Sequence, residues 1–599
     1  MYHFLFHSFA SRQTLLGSMA TFYFTINRSN KLYSSLIVIS CLVLLFSSCK
    51  DTSKVDNPAD TIYYNGSILT MVDANRQVEA VAVKDGKIFQ VGTQKEVGKS
   101  NGATTQMVDL KGKTLLPGFV DGHSHFSFTT SILELANLNS PPVGNVKNIS
   151  DIITQLKNHQ KERAIPKGEW IVGWGYDQDQ LTEKRHPNKL DLDEAFPDNP
   201  VYLMHVSGHL STVNSKALEV SKIDGKIPDP PGGVIVRLPN SNEPSGVLQE
   251  TASSAMRGRI PTPDAEELLG LIEKAQDYYA ARGVTTAQDG LTDMKTMQLL
   301  QKVAEADKFK IDIEALASFQ YAKEFIGNPD FPFGESINGF RIAGLKIVSD
   351  GSPQGKTAYF SKPYLTEVPG CMHDCRGFPI LELEPLTQLV TACYQNNIQL
   401  FTHCNGDGAI DLFFEAHDKA VASLPSPKDD LRSVIIHSQF VRPDQLEKYA
   451  KEKMIPSFFT NHAFFWGDVH LENLGAERAS FLSPLKTAAE MGITYTNHTD
   501  FMVTPLNQLF LLWTSVNRTT RTEKVLGPDE RLTPWQGLKA LTINGAYQHR
   551  QEDVKGTLEV GKLADLVVLN QNPLTVDLDA IKDIKVVETI KEGETIFKL

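Results

Sequence analysis

The chain has 599 residues, 41% of them hydrophobic and 22% charged, an ordinary globular composition with room for roughly two to four domains. A formal net charge of −12 and the lack of any Lys/Arg stripe exclude nucleic acid as a partner, because phosphate binding needs clustered cations. Six cysteines are too few for a disulfide scaffold.

Residues 1–48 read as a secretory signal, with Met19 as an alternative start. Arg28 and Lys31 precede the apolar run Leu36–Phe46, which is shorter than the about 20 residues of a membrane span. The run ends in Ser47-Ser48-Cys49, which resembles the lipobox of bacterial lipoproteins, with Phe46 where Leu is usual. The resemblance implies a mature chain starting at Cys49 with lipid on its thiol, and residues 49–60 as a polar tether. Two or more acyl chains would hold it stably in the cell envelope, on a periplasmic or surface face.

Residues 61–112 predict short strands with tight turns, including Asp85-Gly86 between alternating apolar runs. The last 50 residues repeat this style around Ala564–Leu569 and Glu592-Gly593-Glu594. Residues 61–112 plus 550–599 are therefore expected to form one composite β-sandwich.

Residues 113–549 alternate apolar strands with helical stretches, the mark of a parallel sheet covered by helices. Eight strands are expected, at 115–120, 284–289, 311–316, 342–349, 398–402, 433–436, 454–458 and 493–496. Eight strands close a TIM barrel, so the predicted class is α/β with a (β/α)8 TIM-like barrel. An insertion at about 127–260, with its own strands and turns, is expected to cap the barrel mouth.

The residues that carry chemistry sit at the ends of these strands, where barrel enzymes gather active groups. His123 and His125 follow the first strand as His-x-His, and residues i and i+2 of an extended chain point the same way. Lys346 interrupts an apolar strand, a costly placement unless it is neutralised or paired. His403, His437 and Asp500 end the fifth, sixth and eighth strands. Cys371-Met372-His373-Asp374-Cys375 offers two thiols and an imidazole, but no second ligand pair follows at structural-zinc spacing. A surface loop closed by a disulfide is the alternative.

From residue 61 to 597 the chain resembles the amidohydrolase superfamily, in the amidohydrolase-3 branch of N-substituted formamide deformylases and exoenzyme-regulation-like proteins. The segments that carry the resemblance are Leu116–His125, Tyr202–His209 with Val213–Leu218, Lys346–Ser352, Thr402–Ala409 and Val554–Leu569. It implies a divalent metal, zinc as first candidate, as one or two ions held by His123, His125, Lys346, His403, His437 and Asp500. A carboxylated Lys346 would bridge a pair of ions, and Asp500 would act as general base and acid. Ile436 and Thr499 stand where many relatives carry Glu and Ser.

His209 and His462 are candidate substrate contacts. The implied function is hydrolysis of a non-peptide C–N bond in a small molecule, an amide or N-acyl/N-formyl amine, with a homodimer as candidate assembly. Alternatives are a cyclic amidase, deaminase or dipeptidase-like reaction on the same site, or a ligand-binding lipoprotein without turnover. The last would be favoured by loss of any of the six residues, and all six are present.

Overall fold

In the computed structural model, residues 55–74, 78–261, 264–368, 371–426 and 430–599 are described; the signal and the first half of the tether, Cys49 included, lie outside them. No helix among the described residues is long and apolar enough to cross a membrane.

Eight strands run parallel in one curled sheet, ordered as in the chain. They are β1 (Phe119–Val120), β2 (Val284–Thr292), β3 (Asp312–Ser318), β4 (Phe340–Val348), β5 (Leu400–Cys404), β6 (Val434–His437), β7 (Ile455–Phe458) and β8 (Thr496–Asn497). Helices follow most of them, such as Met294–Glu305 after β2, Asp407–Ser423 after β5 and Pro443–Glu452 after β6. The strands are near-continuous apolar runs, as in the fully buried VIIH of β6.

The two ends of the sheet meet just beyond β1 and β8. Ser124 bridges to Phe501, the His125 N–H donates to the Phe501 carbonyl at 2.8 Å, and the Asp500 N–H donates to the His123 carbonyl at 3.1 Å. Gln548 spans the same seam, donating to the Gly122 carbonyl at 2.7 Å and accepting from the Thr496 hydroxyl at 2.6 Å.

The run 115–120, expected as one strand, is two. Thr114–Pro117 pairs antiparallel with Leu566–Leu569 in a small sheet, and only Phe119–Val120 joins β2. The break falls at Gly118, where a Cβ would lie 2.4 Å from the Thr285 hydroxyl oxygen, so the chain can pass between the sheets only with no side chain there. Gly118→Ala should cost about 1–3 kcal/mol through this overlap, read as a lower midpoint in urea unfolding.

Thr114–Pro117 is the hinge of a β-rich unit made from both ends of the described chain. One four-stranded sheet holds residues between Thr61 and Asp109, and one five-stranded sheet joins Ser67–Ile68 and Thr114–Pro117 to three C-terminal strands between Leu566 and Lys598. Val81, Val83 and Ile88 of the first pack in one core with Leu115, Leu566 and Ile590 of the second.

A separate six-stranded sheet lies between Ala136 and Glu250. It feeds the helix Thr251–Arg257, which leads back toward β2. In the Cys371–Cys375 loop the two sulfurs are joined in a disulfide, the surface-loop alternative, and so hold no free thiolate for a metal.

Candidate metal centre and its cavity

His123, His125, Lys346, His403, His437 and Asp500 all line one cavity of about 240 Å3 at the C-terminal ends of the strands. The His123, His437 and Asp500 ligand atoms lie within 4.8 Å of one another. Asp500 Oδ1 is 3.5 Å from His123 Nε2 and 3.3 Å from His125 Nε2, and its Oδ2 is 3.9 Å from His437 Nε2. Lys346 Nζ is 3.1 Å from His123 Nε2, and the His403 and His437 rings are 4.5 Å apart.

Local backbone explains part of this convergence. His437, Ser438 and Asp500 have φ of +73°, +40° and +49°, left-handed conformations that side chains other than glycine adopt at a cost. These turns swing the side chains across the strand ends, and the surrounding pairing keeps them there.

The electrostatics suit a cation. Burial lowers the pKa of His123 well below the ordinary histidine value, with Lys346 adding to the effect. Burial lowers His437 likewise, with help from His403. These imidazoles are therefore neutral, with a lone pair to offer. Burial pulls the Lys346 ammonium down to about 7 against the opposing pull of Asp500, so a neutral amine is accessible near physiological pH. Burial works to raise Asp500, but the hydrogen bond from His125 and the influence of His123 overcome it and hold the carboxyl below the usual range. His437 Nδ1 is buried without a hydrogen-bond partner among the described residues, an arrangement that costs free energy unless a ligand answers it. The donor set thus fits a divalent ion.

Several supporting residues carried no signal in the sequence reading. His123 Nδ1 meets the Gln288 side-chain oxygen at 2.5 Å, which fixes the proton on Nδ1 and leaves Nε2 facing the centre. Gly290 is required beside it, since a Cβ there would sit 2.4 Å from His123 Cε1. His403 Nδ1 is 3.1 Å from an Asp350 oxygen, and Asp350 also accepts from the Asn405, Gly406 and Tyr359 N–H groups at 2.9, 2.9 and 3.0 Å. Asp121, pushed by burial up to about 6, accepts from the Ser124 hydroxyl beneath His123. His498 is fully buried, with its ring 5.2 Å from His123 and 5.1 Å from His437.

The two expected substrate contacts differ in placement. His209 lines the main cavity, its ring 5.3 Å from His403 and its Nδ1 2.7 Å from Glu250 Oε2. Glu250 is held at φ +51° and ψ −117°, a strained backbone at the junction of strand and helix. His462 lies behind, in a smaller recess beside Phe459, and its Nδ1 is 3.1 Å from His470 Nε2. It borders His403, His437 and Asp500 there but not the main cavity.

Residues 106–597 match the model of the Amidohydrolase family. The N-substituted formamide deformylase of Arthrobacter pascens is 25% identical over 543 residues, covering 89% of this chain and 97% of that one. YtcJ of Bacillus subtilis is 26% identical over 558 residues, covering 90% and 99%. An uncharacterized metal-dependent hydrolase from Pyrococcus furiosus shares the fold with a TM-score of 0.66, at 24% identity, over 86% of this chain and all of that one.

Proposed function

Because the chain belongs to the amidohydrolase family, we propose that it hydrolyses the C–N bond of a small amide, an N-acyl or N-formyl amine, to a carboxylic acid and an amine. The observation that carries this reading is the convergence of four imidazoles, Lys346 and Asp500 on one cavity. The deformylase among the relatives supports the choice of bond. The reading also takes the curled sheet as a closed eight-stranded barrel and the two small sheets as a β-sandwich, supported by the Ser124–Phe501 bridge and the shared core.

His123, His125, His403, His437 and Asp500 would hold one or two ions, joined by Lys346 if its amine has taken up carbon dioxide. Zinc is the favoured metal, since imidazole and carboxylate donors suit it. A divalent ion held there would supply the chemistry of bringing the pKa of water toward neutrality and polarising the amide carbonyl. Asp500 takes the proton of the attacking water and returns it to the leaving nitrogen. Gln288 and Asp350 keep the His123 and His403 rings aligned throughout.

Metal-loaded protein should release formate or acetate together with the free amine from N-formyl- or N-acetylbenzylamine and their phenethylamine counterparts, and a chelator should stop it. No release from any of these four amides, nor from carboxylate-bearing amides of the same size, would overturn the reading.

The envelope location is part of the same proposal. Cys49→Ala protein should lose incorporated radiolabelled palmitate and stop partitioning into detergent; a persisting label would sink the lipoprotein assignment.

A further inference from the structure

Outside the metal cluster and the His209–Glu250 pair, the cavity has one cationic side chain, Arg257. It comes from the helix Thr251–Arg257, whose cavity-lining residues Thr251, Ser254 and Arg257 are three apart and so share a face. Arg257 is half-buried. Its hydrogen-bond partners are neutral: Nη2 donates to the Gly208 carbonyl at 2.7 Å, and Nε reaches the Tyr202 hydroxyl at 3.5 Å. Phe128 lies 5.4 Å from the guanidinium carbon on the cavity side, a ring that orients the fork by cation–π attraction.

The two carboxylates of the cavity are already committed. Glu250 is paired with His209 Nδ1 at 2.7 Å, and Asp500 sits among the histidines. A guanidinium held by neutral groups at the wall of a reaction cavity is a receptor for a planar anion, which it binds through parallel N–H donors. It lines the same cavity as the histidine cluster, and Gly208, to which it is tied, directly precedes His209, whose ring is 5.3 Å from His403. Phe128, Leu291, Phe319, Ile380 and Met502 supply an apolar part of the lining, beside the polar Ser207, Thr251, Ser254 and Gln320.

Resting on the amide-hydrolase reading, we infer that the substrate is an amphipathic amide carrying a carboxylate, and that Arg257 is the residue that selects it. The carboxylate pairs with the guanidinium, the apolar body lies on the aromatic and aliphatic wall, and the scissile carbonyl reaches the histidine cluster. The chemical class is an N-acylated amino acid, or an amide whose acyl half ends in a carboxylate.

Three probes of matched size test this with the metal-loaded enzyme: neutral N-acetyl-2-phenylethylamine, N-acetylphenylalanine with the carboxylate on the amine half, and N-(2-phenylethyl)succinamic acid with it on the acyl half. One of the two acids should exceed the neutral amide in kcat/KM by about 10- to 100-fold, the value of a charge-assisted bidentate contact. Arg257→Met should collapse that ratio toward unity, and Arg257→Lys should keep part of it, since a point charge remains without the fork. If Arg257 served only to brace the Gly208–His209 turn, its loss would lower all three rates together and leave the ratio intact, which overturns the inference. Equal wild-type rates on acids and neutral amide overturn it as well, while leaving the hydrolase reading in place. No turnover of any probe defeats both.

Discussion

Asp500→Asn is expected to lower kcat by about 10²-fold or more while the protein keeps most of its metal and its melting temperature. Asparagine is nearly isosteric and still presents an oxygen toward the histidines, 3.3–3.5 Å away in the native carboxylate. It cannot take a proton from water at neutral pH. The native carboxyl, held below the usual range, is ionised across the working pH and ready to act as base. Metal analysis alongside single-turnover rates separates the roles: equal loss of metal and activity would make Asp500 a ligand alone, and full turnover would place the chemistry elsewhere.

Lys346→Ala is expected to have the largest effect on metal content. Its Nζ stands 3.1 Å from His123 Nε2 in a site with almost no solvent exposure, and no other lysine lines the cavity. Losing a residue this close should reduce metal affinity beyond the about 10–100-fold typical of an outer partner, with activity falling in step. Elemental analysis after gel filtration reads the first, and partial restoration by millimolar acetate or propionate would support a carboxylated lysine. Since the Nζ pKa is drawn down to about 7, the free amine needed to capture carbon dioxide declines as pH falls below that value. Metal uptake by metal-free wild-type protein should therefore weaken from pH 8 to pH 6. An uptake curve flat over that range would argue against carboxylation.

The six residues of the centre stood out in the sequence because each follows or interrupts an apolar run, where a charged or imidazole group has no reason to be unless it is used. The residues that support them did not stand out. Gln288 is one polar residue in the strand VTTAQDGLT, and only the fold brings it to His123, 165 positions away. Glu250 ends a strand of the six-stranded sheet and reaches His209 across 41 residues. Arg257 reads as a solvent-facing charge on a short helix until the cavity is seen. The strand break at Gly118 was hidden for the opposite reason: the run is apolar on both sides, and hydrophobicity does not say which of two sheets a segment joins.

The pairing of Thr114–Pro117 with Leu566–Leu569 bears on how the molecule comes into being. Thr114–Pro117 leaves the ribosome ~450 residues before the strand Leu566–Leu569 that will pair with it exists. Until it arrives, one edge of Thr114–Pro117 offers open backbone groups, the kind of edge that recruits strands from other chains. Assembly must therefore end at the C-terminus, with a long-range closure that is slow in folding and exposed to aggregation. A chain cut short before Leu566 keeps every residue of the metal centre in its sequence, yet it lacks the strand that pairs with Thr114–Pro117, just ahead of the first two histidines.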